Sequence, residues 1–365
     1  MSRRVRVILF AAAALVLVVA SVSFVGWKLV DNADKAVPQT DLFGSASASA
    51  TPPAGVPASP APEPGADIKG PLNILLVGID SRENIKTWQP HADTVMIMHV
   101  AKDLKSAYLT SLPRDLVVRV PAFKKANFPG ETTKLTHAMS YGARVPGTSI
   151  PKVEQGFELL ARTVSDYTGI KRFDAGGILT FNGIKDLVDA LGGIDLYVDQ
   201  KVTSIHRNTK GGALSRVGGT PQTYKVGKQV INGWQALDYS RQRYIAGSDY
   251  ARQRHNRQLV KAIMAKLFSR DLVTNPANLD KVVNALGKTL TFDGRGHRLV
   301  DFAFALKNLQ PENVTLVGLP GNGVYSGGSY RGEALGPIRK AYFAALKSDT
   351  LDEFVAANPK LVNKK

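Results

Sequence analysis

The chain has 365 residues, no cysteine and a formal net charge of +17. Without cysteine it has neither thiolate metal sites nor a cysteine nucleophile, and its length is ample for a core that needs no disulfide staples. The charge points to an anionic partner; for a domain facing outward, a lipid surface or a phosphorylated polymer fits better than nucleic acid.

Residues 1–6 form a short basic tail carrying Arg3, Arg4 and Arg6. The uncharged apolar run from Val7 to Gly26 follows. As a helix it rises about 30 Å, enough to cross a hydrocarbon core. The arginines set the cytoplasmic side, so the rest of the chain is expected outside the cell membrane, held by a single retained transmembrane helix. A cleaved signal peptide would have a shorter apolar region. Residues 27–67 read as an extended, disordered stalk, rich in Ala, Ser and Pro from Ser45 onward and without apolar period.

The folded part is expected to begin near Ile68, with a catalytic domain over 68–330 and a helical extension over 331–365. Short apolar runs at Asn73–Ile79, Thr94–Val100 and Ser106–Leu112 read as buried strands. Helical spacing covers Lys134–Tyr141, Pro151–Tyr167 and Gly183–Leu191, and Ile194–Val198 returns as a strand. Lys201–Gly227 is polar and glycine-rich, either a flap or a surface insertion. Gln235–Arg243 and Asp249–Phe268 follow as helices, the second with Leu259, Val260, Ile263, Met264 and Leu267 as its buried stripe. Further helices are expected at Leu279–Leu290, Arg298–Leu309 and Ala334–Lys347, with a strand at Val314–Leu319. Strands alternating with helices predict an α/β layered fold with a mainly parallel sheet.

Charge concentrates where these elements end. Arg241, Arg243, Arg252, Arg254 and Arg257 fall within seventeen residues. Guanidinium groups this dense repel one another unless an anion lies among them, and their planar fork matches phosphate oxygens. The first strand runs into Asp80 and Arg82, Asp93 stands at the boundary of the second, and the third leads to Arg114 and Asp115. Ligands of α/β folds collect at such strand ends. Asp80 and Asp93 suit a Mg²⁺ ion that keeps most of its waters and meets a phosphate, with Arg82 and Arg114 on the same phosphates. Lys134 opens a helix, where its charge opposes the dipole unless an anion is present. Asp249 reads as a helix cap. No Ser-His-Asp order, HExxH or P-loop occurs, so chemistry rests on charge stabilisation and one carboxylate base, for which Asp115 is best placed.

The strings NILLVGIDSRE, ADTVMIMHVAKD, SLPRDLVVRVP, KLTHAMSYG, FNGIKDLVDALGGIDLYV and INGWQALDYSRQRYIAGSDYARQRHNRQ appear in this order behind one apolar segment. Together, over about residues 70 to 320, they resemble the LytR–CpsA–Psr family. The resemblance implies an α-β-α sandwich and a membrane-anchored ligase. Such an enzyme moves a glycopolymer from a polyprenyl-pyrophosphate carrier onto peptidoglycan as a phosphodiester. It implies Mg²⁺ on Asp80 and Asp93, and pyrophosphate contacts from Arg82, Arg114, Lys134, Arg241 and Arg243. Arg252, Arg254 and Gln258 follow as the last contacts, with Asn256 as an alternative for the amide role and Arg119 as a further contact. Asp115, Arg114 and Arg241 would carry catalysis. Apolar faces containing Phe157, Leu160, Leu187 and Leu191 are candidates for the lipid groove. A pyrophosphate hydrolase and a non-catalytic polyprenyl-phosphate-binding regulator remain as alternatives; a nucleic-acid partner is not expected, since the arginine run lacks interleaved stacking aromatics.

Overall fold

The structure, a computed structural model, describes residues 37, 39–44, 64–80, 85–208, 214–215, 220–267, 281–282, 284–287 and 290–363. The expected transmembrane segment 7–26 and most of the stalk lie outside these residues, as does Arg82; where the stalk is described it corrects the expectation of disorder, since Gln39 bridges Phe292 and Leu42 is fully buried in the core. Among the described residues no helix is long and apolar enough to cross a membrane.

In chain order the strands are β1 (Leu72–Asp80), β2 (His91–Val100), β3 (Ala107–Leu112), β4 (Val117–Val120), β5 (Glu131–Lys134), β6 (Ala175–Thr180), β7 (Ile194–Val198), β8 (Val202–Asn208), β9 (Leu214–Ser215), β10 (Thr220–Tyr224), β11 (Gly227–Ile231), β12 (Leu290–Asp293), β13 (Val314–Val317), β14 (Gly321–Ser326) and β15 (Ser329–Leu335). The helices are α1 (Leu135–Gly142), α2 (Val153–Thr168), α3 (Phe181–Ala190), α4 (Gly233–Arg241), α5 (Ser248–Leu267), α6 (Leu299–Ala305), α7 (Ile338–Lys347) and α8 (Leu351–Ala357).

The central sheet has six strands in the order β12-β6-β1-β2-β3-β13. Four of them (β6, β1, β3 and β13) share one direction, as the alternating pattern predicts, while β2 and β12 run against them. The reversal of β2 has a local cause: only a short connection joins it to β3, and a parallel crossover needs a dozen residues or more. β6 was not legible as a strand. Its sequence AGGILT holds two glycines that weaken the signal, yet it pairs parallel to β1 at the middle of the sheet. The polar stretch 201–227 carries the antiparallel strands β8, β9 and β10, and residues 331–335, the start of the expected helical extension, belong to strand β15.

Helices cover both faces, giving the three layers of an α-β-α sandwich. On one face Leu76, Met96 and Leu179 meet Leu187 and Val188 of α3, Leu259 and Ile263 of α5, and Phe302 of α6. On the other, Leu75, Val77 and Ile97 meet Met139 of α1, Phe157 and Leu160 of α2, and Tyr342 and Phe343 of α7. Residues beyond 331 therefore pack into the second core rather than trailing from it. Helix ends follow local chemistry. Gly169 closes α2 in the left-handed region at φ 75°. Asn232 and Gln235 form a capping box at the start of α4, which fixes the helix that delivers Arg241.

Candidate functional site

The site lies along one edge of the sheet. β1 and β3 end there and β2 begins there, because β2 is antiparallel to both. A bulge between Gly78 and Ile79 shifts the β1–β2 register, leaving Asp93 as the extra residue between Ala92 and Thr94. Bulges re-aim side chains, and Asp93, 8% exposed, receives Arg114 Nη1 on Oδ1. Asp80, at the end of β1, has Arg241 Nη1 at 3.9 Å from Oδ1 and makes no closer ion pair among the described residues. Its neighbour across the sheet is His91.

Asp115 Oδ1 stands 3.5 Å from Arg114 Nε and 3.6 Å from Lys134 Nζ. Neither contact is a hydrogen bond, so this carboxylate oxygen and Arg114 Nε are both buried without a partner. Buried polar atoms left open are uncommon and mark a place where something else binds. Lys134 lies just before α1 and also sits 4.9 Å from the ring centre of Tyr330 on β15. Arg241, at the last residue of α4, lies over the Phe181 ring at 5.0 Å.

Helix α5 completes the site. Arg252, 2% exposed, donates from Nη1 to the Asp93 carbonyl at 2.7 Å and from Nε to Asp249 Oδ1 at 2.8 Å. Arg243 Nε is 3.9 Å from the same Asp249 oxygen. Asp249 lies inside the first turn of α5, and its carboxylate gathers Arg252, Gln253 and Arg243 instead of taking the capping role its position predicts. Burial works to raise its pKa, but Arg252, Gln253 and Arg243 outweigh burial and hold it low. Arg243 is the crowded member. Burial, then Arg252 and Arg114, pull its guanidinium below the usual value. An anion among these cations relieves that repulsion.

One turn beyond Arg252, Asn256 Nδ2 donates to Thr94 Oγ1 at 3.1 Å. These two residues stand at a narrow apolar groove lined by Leu76, Met96, Leu179, Ile184, Leu259 and Ile263, among others. Gly78 and Gly177 open it by removing side chains from the face of β1 and β6 that α3 and α5 cover; a Cβ on Gly78 would stand 3.1 Å from Thr94 Cβ. The faces proposed from sequence for a lipid groove are not its lining. Phe157 and Leu160 belong to the opposite core, and Leu187 and Leu191 are buried in packing. The glycines that create the groove carry no hydrophobic signal of their own.

The predicted site residues therefore divide. Asp80, Asp93, Arg114, Asp115, Lys134, Arg241, Arg243 and Arg252 come together on one edge. Arg254 does not join them; it pairs with Asp199 after β7. Gln258 is buried and receives Tyr239 Oη at 3.4 Å, so of the two amides it is Asn256 that stands beside Thr94. Arg119 is exposed on β4 and makes no ion pair among the described residues. His137 is pulled below its usual pKa by burial, then by His91 and Lys134, and its Nδ1 meets Thr133 Oγ1 at 2.8 Å.

α5 also carries His255, fully buried, stacked on Tyr239 at 4.0 Å and 3.9 Å from Asp199. Burial pulls its pKa to about 4 against the opposing pull of Asp199. The folded chain refuses a proton that the unfolded chain accepts below about 6.5. Stability is therefore present above that pH and falls as pH drops from about 6.5 toward 4, by about 3 kcal/mol for this group. Urea unfolding of His255→Phe, which keeps the stacking, is expected to show a flatter pH profile over that range.

A model of the LytR_cpsA_psr family matches residues 45–347. Among curated relatives, the chain is 29% identical over 258 residues to the polyisoprenyl-teichoic acid–peptidoglycan teichoic acid transferase TagU of Enterococcus faecalis, covering 70% of this chain and 74% of that one. It is 26% identical over 318 residues to the cell wall biosynthesis protein LcpA of Corynebacterium glutamicum, covering 78% of this chain and 56% of that one. Among solved structures, TagT bound to LIIa-WTA superposes with a TM-score of 0.55 at 23% identity, covering 79% of this chain and 92% of that one; the likeness is one of fold.

Proposed function

Because the chain belongs to the LytR–CpsA–Psr family, we propose that it is a transferase that moves a glycopolymer from a polyprenyl-pyrophosphate carrier onto peptidoglycan, forming a phosphodiester. The observation that carries this reading is the continuity of two unlike surfaces on α5. Arg252 and Asn256 belong to the charged edge and its border, and Leu259 and Ile263, the next turns of the same helix, line the apolar groove. A ligand with a diphosphate head and a long hydrocarbon tail has this distribution of charge, and the transferase named among the relatives acts on a polyisoprenyl-linked polymer.

Arg114, Arg241, Arg243, Arg252 and Lys134 would hold the pyrophosphate and stabilise the charge that grows on the departing polyprenyl phosphate. Asp80 and Asp93 fit a Mg²⁺ ion. Magnesium is commonly bound by one or two carboxylates plus substrate phosphates, keeping several waters. Among the described residues the Asp80 carboxylate makes only the 3.9 Å contact to Arg241, and the second oxygen of Asp93 takes no hydrogen bond. When bound there, the ion would neutralise phosphate charge. Asp115 Oδ1, free of hydrogen bonds yet flanked by Arg114 and Lys134, would accept the proton of the acceptor hydroxyl as that oxygen attacks the phosphorus bonded to the polymer. The P–O bond to the polyprenyl phosphate breaks, and Arg241 and Arg243 take up its charge. The apolar run at 7–26 would hold the enzyme at the membrane that contains the carrier.

The test is product mass. Enzyme, Mg²⁺ and a polyprenyl-pyrophosphate-linked glycan are incubated with and without peptidoglycan. A phosphodiester adduct formed only with acceptor is expected. Free glycan phosphate formed equally in both would make the protein a hydrolase, and tight lipid binding without turnover would make it a regulator.

A further inference from the structure

Helix α5 has a second charged flank. Tyr250, Gln253, Arg254 and Arg257 recur at the spacing of one helix face, turned away from Arg252 and Asn256. They line an open cleft of about 440 Å³, bordered by the turn Gly318–Gly321 after β13 and by Lys360, Leu361 and Asn363 near the C-terminus.

The unusual member is Arg257. It is 3% exposed, and among the described residues its Nε and Nη2 donate only to the neutral amide oxygen of Asn363, at 3.0 and 2.6 Å. No carboxylate pairs with it among the described residues. Gly318 lets the guanidinium lie against the turn, since a Cβ there would stand 3.0 Å from Nη2. Burial, then the nearby Arg254, pulls Arg257 down to about 9. A desolvated guanidinium without countercharge is costly, and the fork of donors left over is the geometry that meets an oxyanion. The lining contributes three cations, Arg254, Arg257 and Lys360, and no carboxylate; behind it Asp199 pairs with Arg254 and Glu333 accepts from Tyr250, which leaves Arg257 and Lys360 without an acidic partner among the described residues. The uncompensated charge matches a phosphate dianion.

We infer that the cleft formed by Arg257, Arg254, Lys360 and the Gly318–Gly321 turn is a second, separate binding site for a phosphate-class oxyanion. Its occupant is either free phosphate or a phosphate further along the donor polymer, whose pyrophosphate end lies across α5. Only the polymer alternative rests on the transferase reading; phosphate binding stands without it.

Full-length protein carrying Arg241→Ala and Arg243→Ala, which weakens the first site, is titrated calorimetrically with inorganic phosphate. One saturable site is expected to remain. Adding Lys360→Ala, an exposed position that spares the fold, should weaken it by about two- to fivefold, as an exposed charge contact does. Adding Arg257→Gln should abolish it. Absence of saturable binding in the parent variant, or unchanged binding after Lys360→Ala, overturns the site even if the Arg257 variant fails to fold. Lys360→Ala alone is then assayed with two donors. A KM raised for a phosphate-bearing polymer but not for a single-sugar donor assigns the cleft to the polymer, and unchanged values for both assign it to free phosphate. If no donor supports transfer while phosphate still binds, the transferase reading fails and the site stands.

Discussion

Arg241→Ala is expected to lower the rate of glycopolymer transfer by about 10²–10³, the scale seen when one pre-organised charge stabiliser is removed. The guanidinium needs no reorganisation. It is held between the Phe181 ring at 5.0 Å and the Asp80 carboxylate at 3.9 Å, on the last residue of a helix with a capping box at its other end. Its side chain is 34% exposed, so the loss should fall on turnover and not on folding. Arg241→Lys should recover only part of the rate, because an ammonium keeps the charge but not the planar fork. Steady-state kinetics with a polyprenyl-pyrophosphate donor, alongside a melting curve, check both halves. An unchanged kcat would remove Arg241 from the charge-stabilising role.

Arg252→Met should be the most destabilising change at the site. Arg252 joins α5 to β2 through the Asp93 carbonyl and neutralises Asp249. Removing it leaves a largely buried carboxylate with only Gln253 and the more distant Arg243. Breaking a buried pair by deleting one partner costs about 3–5 kcal/mol, more than the pair itself contributes, because the survivor is left uncompensated. Chemical denaturation measures the loss. Pairing the change with Asp249→Asn should recover part of it, since the residues are in contact and their effects do not add.

The edge of charges was legible because acids and arginines following apolar runs mark strand ends, and those ends converge in an α/β sheet. Asp80, Asp93, Arg114 and Arg241 needed no more than that. The division of α5 was not legible. Arg252 and Arg254 are two residues apart and chemically alike, but two residues on a helix turn the side chain through about 200°. One reaches Asp93 and the other Asp199, and only the docking of α5 on β2 and β7 decides which. Position 256 against 258 is the same problem. The groove escaped for another reason. Its walls have the pattern of an ordinary core stripe, and its space comes from Gly78 and Gly177, whose contribution is missing volume. β6 is not legible because AGGILT lacks the apolar run expected of a central strand; its Gly177 leaves room beneath α3 and α5, while Gly176 faces Phe157 on the opposite side.

The central claim is that acids from β1 and β2 and cations from β3, α4 and α5 surround one diphosphate whose hydrocarbon tail enters the neighbouring groove. A crystal of the protein soaked with a polyprenyl pyrophosphate and Mg²⁺ tests this directly. The account predicts diphosphate density within contact of Arg114, Arg241 and Arg243, an ion between it and Asp80 and Asp93, and tail density between Leu76, Leu179 and Ile263. Diphosphate density elsewhere, or a tail lying outside that groove, would contradict it.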